Sequence, residues 1–374
     1  MALPRCHEGE FKLKDLLSAK QHPSPVSAQS QKQMRYVTLG SSGLRVSALI
    51  MGTMQYGSAE WQPWIMGEED ALIHIKAAYD AGIQTFDTAD VYSNGQSEIV
   101  LGNVIKKLGL PRDEIVVMTK ISRVVAREPG HWFVHSNRNP EDYGYVNQGG
   151  LSRKHIFAAV KKSLERLQLD YVDVLQCHRA DPITPISETM HALHDIIKEG
   201  YARYIGMGSC WAWQFHAMQN YAIANGLTPF ISMQNQYSLL YRADEMELYP
   251  TLKLFGTASI PWSPLARGLL ARPFGEESRR GQSDKLVHIY KSGPTEDKEV
   301  IKRVQELAQK KGLSMARVAL AWTLRKPGVT APIVGPTSVE QLHDLLGAME
   351  VDLSDDEMTY LEECYRPRIL LDHE

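Results

Sequence analysis

Gly82-Ile83-Gln84-Thr85-Phe86-Asp87-Thr88-Ala89-Asp90-Val91-Tyr92-Ser93-Asn94-Gly95-Gln96-Ser97-Glu98 is the stretch from which the rest of the chain is best read. It opens on a run short enough for a buried strand, Gln84 to Phe86, and Asp87 closes that run. Tyr92 follows in a loop punctuated by Asn94-Gly95, and Glu98 begins a helical pattern as an acid placed where the helix dipole favours it. An acid at a strand tip and a tyrosine just beyond it can face one cleft. They form a candidate acid–base pair in need of partners.

Working outward, the same strand-then-helix unit recurs. Before it, residues 36–39 and 44–47 flank the Gly40-Ser41-Ser42-Gly43 turn as a short hairpin, Ala48 to Met51 is an apolar run, and Glu69 to Ala81 is a helix. After it come strands over 115–119, 172–175, 204–207, 230–233, 258–261 and 329–334. Helices are predicted over 153–167, 186–198, 211–225, 243–255, 296–311, 314–325, 339–349 and 355–365. The strands are continuous apolar runs rather than alternating ones, as a parallel sheet covered on both faces requires. About eight such units predict an α/β (β/α)8 TIM barrel with a short N-terminal β-hairpin and extra C-terminal helices. A doubly wound sheet wants a GxGxxG turn between its first strand and a helix, and Gly40 to Gly43 leads into another strand instead.

Composition sets the outer bounds. The chain has 374 residues, 23% of them charged and 43% hydrophobic, with a net charge of −3, ordinary for a globular protein with a full core. No basic stripe supports nucleic-acid or membrane-surface binding, and no apolar run reaches the roughly 20 residues that span a bilayer. The four cysteines, Cys6, Cys177, Cys210 and Cys364, are scattered, which suits a reduced, cytoplasmic setting. Residues 1–33 are polar and rich in Pro, Ser and Gln, and read as a disordered extension before a barrel domain over 34–374. Oligomeric state is not legible in the sequence.

In a barrel the C-terminal strand ends converge on one face and supply the chemistry. Those ends carry Asp87, Lys120 and His178, with Tyr92 in the loop after Asp87. A phenol ordinarily holds its proton to about pH 10, so a neighbouring cation is needed to stabilise the phenolate. Lys120 is such a cation, Asp87 can hold it in place, and His178 can orient a carbonyl. The set suits protonation of a carbonyl oxygen while hydride reaches its carbon. Singly, each residue has a plainer reading: a cap or surface ion pair, a loop-packing ring, a solvated amine, a hydrogen-bonded core imidazole. Only their meeting on adjacent strand ends carries a mechanism. His131 and His135 stand four apart without a carboxylate pattern, and no metal site is expected.

At this point the sequence resembles a known family. Phe86-Asp87-Thr88-Ala89-Asp90-Val91-Tyr92, Met118-Thr119-Lys120, Tyr171 to Asp181 and Tyr204-Ile205-Gly206-Met207-Gly208-Ser209 closely resemble aldo-keto reductases, in order, from about Met34 to Met349. The resemblance implies a barrel that binds NADPH/NADP+ and uses Asp87, Tyr92, Lys120 and His178, with Tyr92 as the general acid. It implies cofactor contacts from Gly52, Thr53 and Met54 after the first barrel strand, and from Asp87, Ser209 and Gln234. Trp262 would lie against the nicotinamide. Ser263, Leu265 and Arg267 would form the pyrophosphate loop, with Gly335, Thr337 and Gln341 after the last strand. The segment Gly335-Pro336-Thr337-Ser338-Val339-Glu340-Gln341 lacks the cation that family members often present to the 2′-phosphate, and Arg267 is the candidate substitute. Cys210 follows Ser209 where the family carries a polar residue.

The loops that rim the mouth are rich in rings: Trp61 and Trp64, then His131-Trp132-Phe133, Tyr143 and Tyr145. Trp61, Trp64, Tyr92, Trp132 and His178 are the expected substrate contacts, for an aromatic or polyketide-derived carbonyl compound. The sequence is also similar to the fungal branch that holds aryl-alcohol dehydrogenases and a reductase of versiconal hemiacetal acetate. Two other classes stay open: a binding module like the potassium-channel β-subunits, which resemble the same family, and a phosphate-binding barrel lyase or isomerase. The partner expected is a small-molecule carbonyl substrate, with neither nucleic acid nor membrane.

Overall fold

A computed structural model describes residues 34–134, 136, 138–276, 278–284, 287 and 295–367. The expected disordered extension over 1–33 and the residue His135 lie outside these. Strands β1 (Tyr36–Thr38) and β2 (Arg45–Ser47) pair antiparallel across the Gly/Ser turn, with Val37 opposite Val46. Eight parallel strands follow: β3 (Ile50–Gly52), β4 (Thr85–Asp87), β5 (Val116–Ile121), β6 (Val172–Cys177), β7 (Ala202–Gly208), β8 (Ser232–Gln234), β9 (Ala258–Ser259) and β10 (Ile333–Val334). They lie in the order β10-β3-β4-β5-β6-β7-β8-β9. The Thr330 N–H donates to Ser259 O at 2.8 Å and the Ile333 N–H to Pro261 O at 2.9 Å, bridging the two ends of that series. The sheet closes as the expected barrel.

Helices α1 (Glu68–Asp80), α2 (Gln96–Leu108), α3 (Arg153–Leu167), α4 (Ile186–Lys198), α5 (Ala212–Ala224) and α6 (Leu248–Phe255) alternate with the strands. The crossover to β10 carries α7 (Arg279–Ser283), α8 (Glu296–Lys311) and α9 (Met315–Arg325), and α10 (Val339–Leu346) and α11 (Asp355–Glu362) complete the chain. Strands β4, β5 and β6 are buried at every position, which explains why they are mostly apolar and why each polar residue within them, such as Lys120 and Gln176, has a buried partner. The hairpin seals the N-terminal end of the barrel. Leu39 and Val46 are fully buried there, in one cluster with Ile50, Val116, Met118, Val174 and Ile260 from the barrel strands. Each such side chain stabilises the fold by about 1.5–3 kcal/mol. With that end plugged, only the C-terminal face is left for a site.

Three departures from the sequence reading have local causes. The ladder expected over 329–334 shortens to β10, because Pro332 has no N–H to donate. The helix expected over 243–255 breaks into a 3-10 turn at Ala243–Glu245 and α6, since Pro250 is tolerated only in the first turn of a helix. Helix α2 starts at Gln96 rather than Glu98, after Gly95 turns the chain with a φ of 92°.

Candidate active site

Register alone brings the strand-end residues together. Asp87 closes β4 beside Gly52 of β3 and Met118 of β5. Lys120 sits within β5, next to Gln176 of β6, rather than after the strand as expected. The Lys120 ammonium, 1% exposed, donates to Asp87 Oδ2 at 2.6 Å, to the Thr88 carbonyl at 2.7 Å and to the Tyr92 hydroxyl at 3.1 Å. Burial works against its charge. The Asp87 and Tyr92 partners outweigh that and hold its pKa above the ordinary lysine range. Asp87 Oδ1 in turn accepts from the side-chain amides of Gln176 and Gln234, both at 2.9 Å. Gln176 escaped the sequence reading. Its signal was a polar residue inside the buried run Val172–Cys177.

Tyr92 opens a tight 3-10 turn, Tyr92–Gly95, in which Ser93 and Asn94 take left-handed φ values of 49° and 51°. Asn94 pays for its strain by anchoring the long loop after β5: its amide donates to the carbonyls of Glu128, Pro129 and His131 and accepts from the Ala126 N–H. Asn94 therefore does more than mark a turn. It fixes the Tyr92 turn against the loop that covers the site. His178, the first residue after β6, donates its backbone N–H to Ile121 O at 2.7 Å. Its ring meets Tyr92 edge-on, with centroids 5.8 Å apart and planes at 86°. Only glycine fits at 208 behind it, because a Cβ there would lie 2.3 Å from the His178 carbonyl oxygen.

A buried layer supports this group from the helix side. Glu98 is fully buried, accepting from the Thr119 hydroxyl at 2.5 Å and from Arg166 Nε at 2.6 Å. Glu98 lies in the first turn of α2, where an acid was expected, and it is also a strut tying α2 to β5 and α3. Asp90 is 1% exposed, and neither carboxyl oxygen makes a hydrogen bond among the described residues. Burial, followed by the nearby Glu98 charge, pushes its pKa well above the usual carboxylate range.

Above these residues opens a cavity of about 1000 Å³, at the upper end of the ~300–1000 Å³ usual for ligand sites. Every expected cofactor position except Ser209 lines it, from Gly52, Thr53 and Met54 to Thr337 and Gln341. Gly335 packs against Gln55, whose Oε1 would lie 3.0 Å from a Cβ there. Ser209 instead is buried, with its hydroxyl accepting from the Trp262 indole N–H at 3.2 Å, so it braces the Trp262 ring. Arg267 differs too. Its guanidinium pairs with the buried Asp284 at 2.6 Å, and Arg280 shares that carboxylate at 2.9 Å. Arg280 also lies 4.2 Å from the Trp64 ring centroid, so Asp284 links the two walls. Arg272, missed in the sequence, lines the same cavity. With a cationic wall and a cavity of this volume, these residues fit a dinucleotide.

The aromatic rim divides. Trp61, Trp64 and Trp132 line the cavity, but Trp61 and Trp64 are 2% and 3% exposed and pack with Ile65 rather than standing open. Phe133, Tyr143 and Tyr145 face one another edge-on as loop packing, outside the cavity. Among the described residues there is no cluster of three or more metal-ligand side chains.

The aldo/keto reductase family profile matches residues 48–366. An aldo-keto reductase of Metarhizium robertsii is 46% identical over 94% of this chain and 96% of its own length. The versiconal hemiacetal acetate reductase of Aspergillus parasiticus is 45% identical over 90% of this chain and 98% of its own. A Schizosaccharomyces pombe protein provisionally named an aryl-alcohol dehydrogenase is 46% identical over 89% and 96%.

Proposed function

We propose that this chain, which belongs to the aldo/keto reductase family, takes its hydride from NADPH and reduces an aldehyde or ketone on an aromatic or polyketide-derived skeleton. That it is an oxidoreductase acting on carbonyl compounds follows from the family and from relatives named as reductases. The proton transfer to the carbonyl oxygen rests on one observation above all: a single ammonium, Lys120 Nζ, stands 2.6 Å from a carboxylate and 3.1 Å from a phenol.

In this reading Tyr92 donates its proton to the substrate oxygen. Lys120, donating to the same phenol oxygen, stabilises the phenolate left behind. Asp87 keeps the lysine charged, and Gln176 and Gln234 hold Asp87 in place. His178, edge-on to Tyr92, orients the carbonyl oxygen towards the phenol. NADPH, when bound, supplies the hydride. Gly52, Thr53, Met54, Trp262, Ser263, Leu265, Gly335, Thr337 and Gln341 would hold it, with Arg267, Arg272 and Arg280 as the cations on the cavity wall, Arg267 and Arg280 sharing Asp284.

Support for an aromatic or polyketide substrate comes from Trp61, Trp64 and Trp132 in the lining and from the names of two relatives. The channel-subunit alternative finds no support among the relatives named above. No helix of the described residues is long and apolar enough to cross a membrane, and Cys177, Cys210 and Cys364 are free thiols, which supports a reduced, cytoplasmic setting. The test is steady-state reduction of aromatic and aliphatic aldehydes with NADPH and with NADH. Preference for aromatic substrates and NADPH is expected; preference for NADH or for small sugars contradicts the reading.

A further inference from the structure

We infer that Asn94 is a positioning residue that sets the preference for flat, aromatic carbonyl compounds, by holding Trp132 at a fixed place relative to the proton donor Tyr92. This rests on the reductase reading above and deepens it, naming what in the chain selects the substrate class.

The turn that begins at Tyr92 grips both loops that carry the facing tryptophans. Ser93 Oγ accepts the Ser58 N–H at 3.3 Å, and a Cβ on the preceding Gly57 would stand 2.4 Å from that oxygen. The Trp61 N–H donates in turn to the Ser58 carbonyl at 3.1 Å, so Ser93 fixes the segment from which Trp61 projects. Asn94 does the same for the loop after β5. Its side-chain nitrogen lies 3.1 Å from the Glu128 and Pro129 carbonyls and 2.9 Å from that of His131. Its oxygen accepts the Ala126 N–H at 3.2 Å. The His131 carbonyl belongs to the peptide bond that leads into Trp132, so the hold is at the root of that side chain. Trp61 and Trp132 then meet with centroids 4.7 Å apart and planes tilted by 48°, and both line the cavity with Tyr92. Trp61 is 2% exposed, whereas Trp132 is only half-buried and is the ring more open to a ligand.

Turn asparagines commonly bond their own backbone close by. Among the described residues, the Asn94 amide instead commits its donors and its acceptor to a segment 32 to 37 positions further on. Proton donor and ring wall thus hang from one four-residue turn, and their separation is fixed by two peptide units. That matters because a misplacement of about 1 Å between reacting groups can cost on the order of 10²-fold in rate. A flat ring laid on Trp132 gains contacts that a puckered ring of the same size cannot make in full. Its carbonyl reaches Tyr92 only while ring and phenol keep their spacing.

The test compares benzaldehyde with cyclohexanecarbaldehyde, flat and puckered rings of one size, each as kcat/KM with saturating NADPH. The native protein is expected to favour benzaldehyde. Asn94→Gly keeps the left-handed backbone and removes only the amide. It is expected to lower the ratio of benzaldehyde to cyclohexanecarbaldehyde by about three- to tenfold, the worth of an aromatic pair, chiefly through the KM for benzaldehyde. Asn94→Asp, which keeps the acceptor and loses the donors, is expected to lower it similarly. Trp132→Ala is expected to give the same loss, and Asn94→Gly added to it no further loss, because both remove one shared contact. Using a ratio cancels any general loss from imperfect folding. A ratio that either Asn94 variant leaves unchanged overturns the proposal, as do losses that add in the double variant. A native protein without preference for benzaldehyde overturns it together with the aromatic-substrate reading. No turnover of either aldehyde with NADPH or NADH overturns the reductase reading itself, and the role of Asn94 with it.

Discussion

Lys120 and Asp87 form an ion pair 2.6 Å long in which the side chains are 1% and 3% exposed. Removing two charges from water is costly, and such a pair persists only where further hydrogen bonds satisfy both ends. Here they do, through Thr88 and Tyr92 at the ammonium and Gln176 and Gln234 at the carboxylate.

Breaking that pair from one side leaves a buried uncompensated charge. Asp87→Asn is expected to destabilise the protein by about 3–5 kcal/mol and to lower kcat by about 10²-fold or more. Denaturant unfolding and turnover of one aromatic aldehyde check this. Unchanged stability would show that the lysine does not depend on Asp87.

Glu98 offers a control away from the substrate. Its carboxylate has no exposure and meets Arg166 and Thr119. Glu98→Gln is expected to reduce unfolding stability by about 3 kcal/mol while leaving the affinity for cofactor unaffected, as read by urea melts and quenching of intrinsic fluorescence.

Asp90 fixes the sign of a pH effect. Its folded pKa is raised, so the folded state holds a proton that the unfolded chain releases near pH 4. Its contribution to stability is present below that pH and lost as pH rises towards the folded value. Asp90→Asn is expected to raise Tm at pH 7, by about 1–2 °C per kcal/mol for a chain of this size, with the gain vanishing near pH 4. A Tm series from pH 4 to 8 would detect it; a gain independent of pH would refute the assignment.

Cofactor selectivity tests the cationic wall. Arg272 lines the cavity, and Asp284 already shares its carboxylate between Arg267 and Arg280. Arg272→Ala is expected to weaken NADPH binding about tenfold or more and NADH binding much less. Equal losses with both cofactors would remove Arg272 from phosphate recognition.

The fold was legible in the sequence because parallel strands buried on both faces write themselves as continuous apolar runs, and eight were visible. Asp87, Lys120 and His178 were legible for the same reason, as polar interruptions towards the close of a run, and Tyr92 from its place in the loop just after Asp87. Partners chosen by the closed barrel were not. Gln176 meets Asp87 from 89 positions away, and Glu98 finds Arg166 across 68. No local pattern encodes either contact. Ser209 and Arg267 were placed by resemblance at cofactor positions. Each has an intramolecular partner, Trp262 for one and Asp284 for the other, that only three-dimensional packing supplies. The aromatic loops misled in another way, since Tyr143 and Tyr145 look like rim residues until Phe133 is seen between them.

The central claim is that Tyr92, poised by Lys120, delivers the proton to the substrate oxygen. Its most direct test is Tyr92→Phe, assayed for kcat with an aromatic aldehyde and for NADPH affinity by fluorescence in the same preparation. The account predicts a fall in kcat of about 10²–10⁴-fold with NADPH affinity little changed. Full activity in the phenylalanine variant would contradict it.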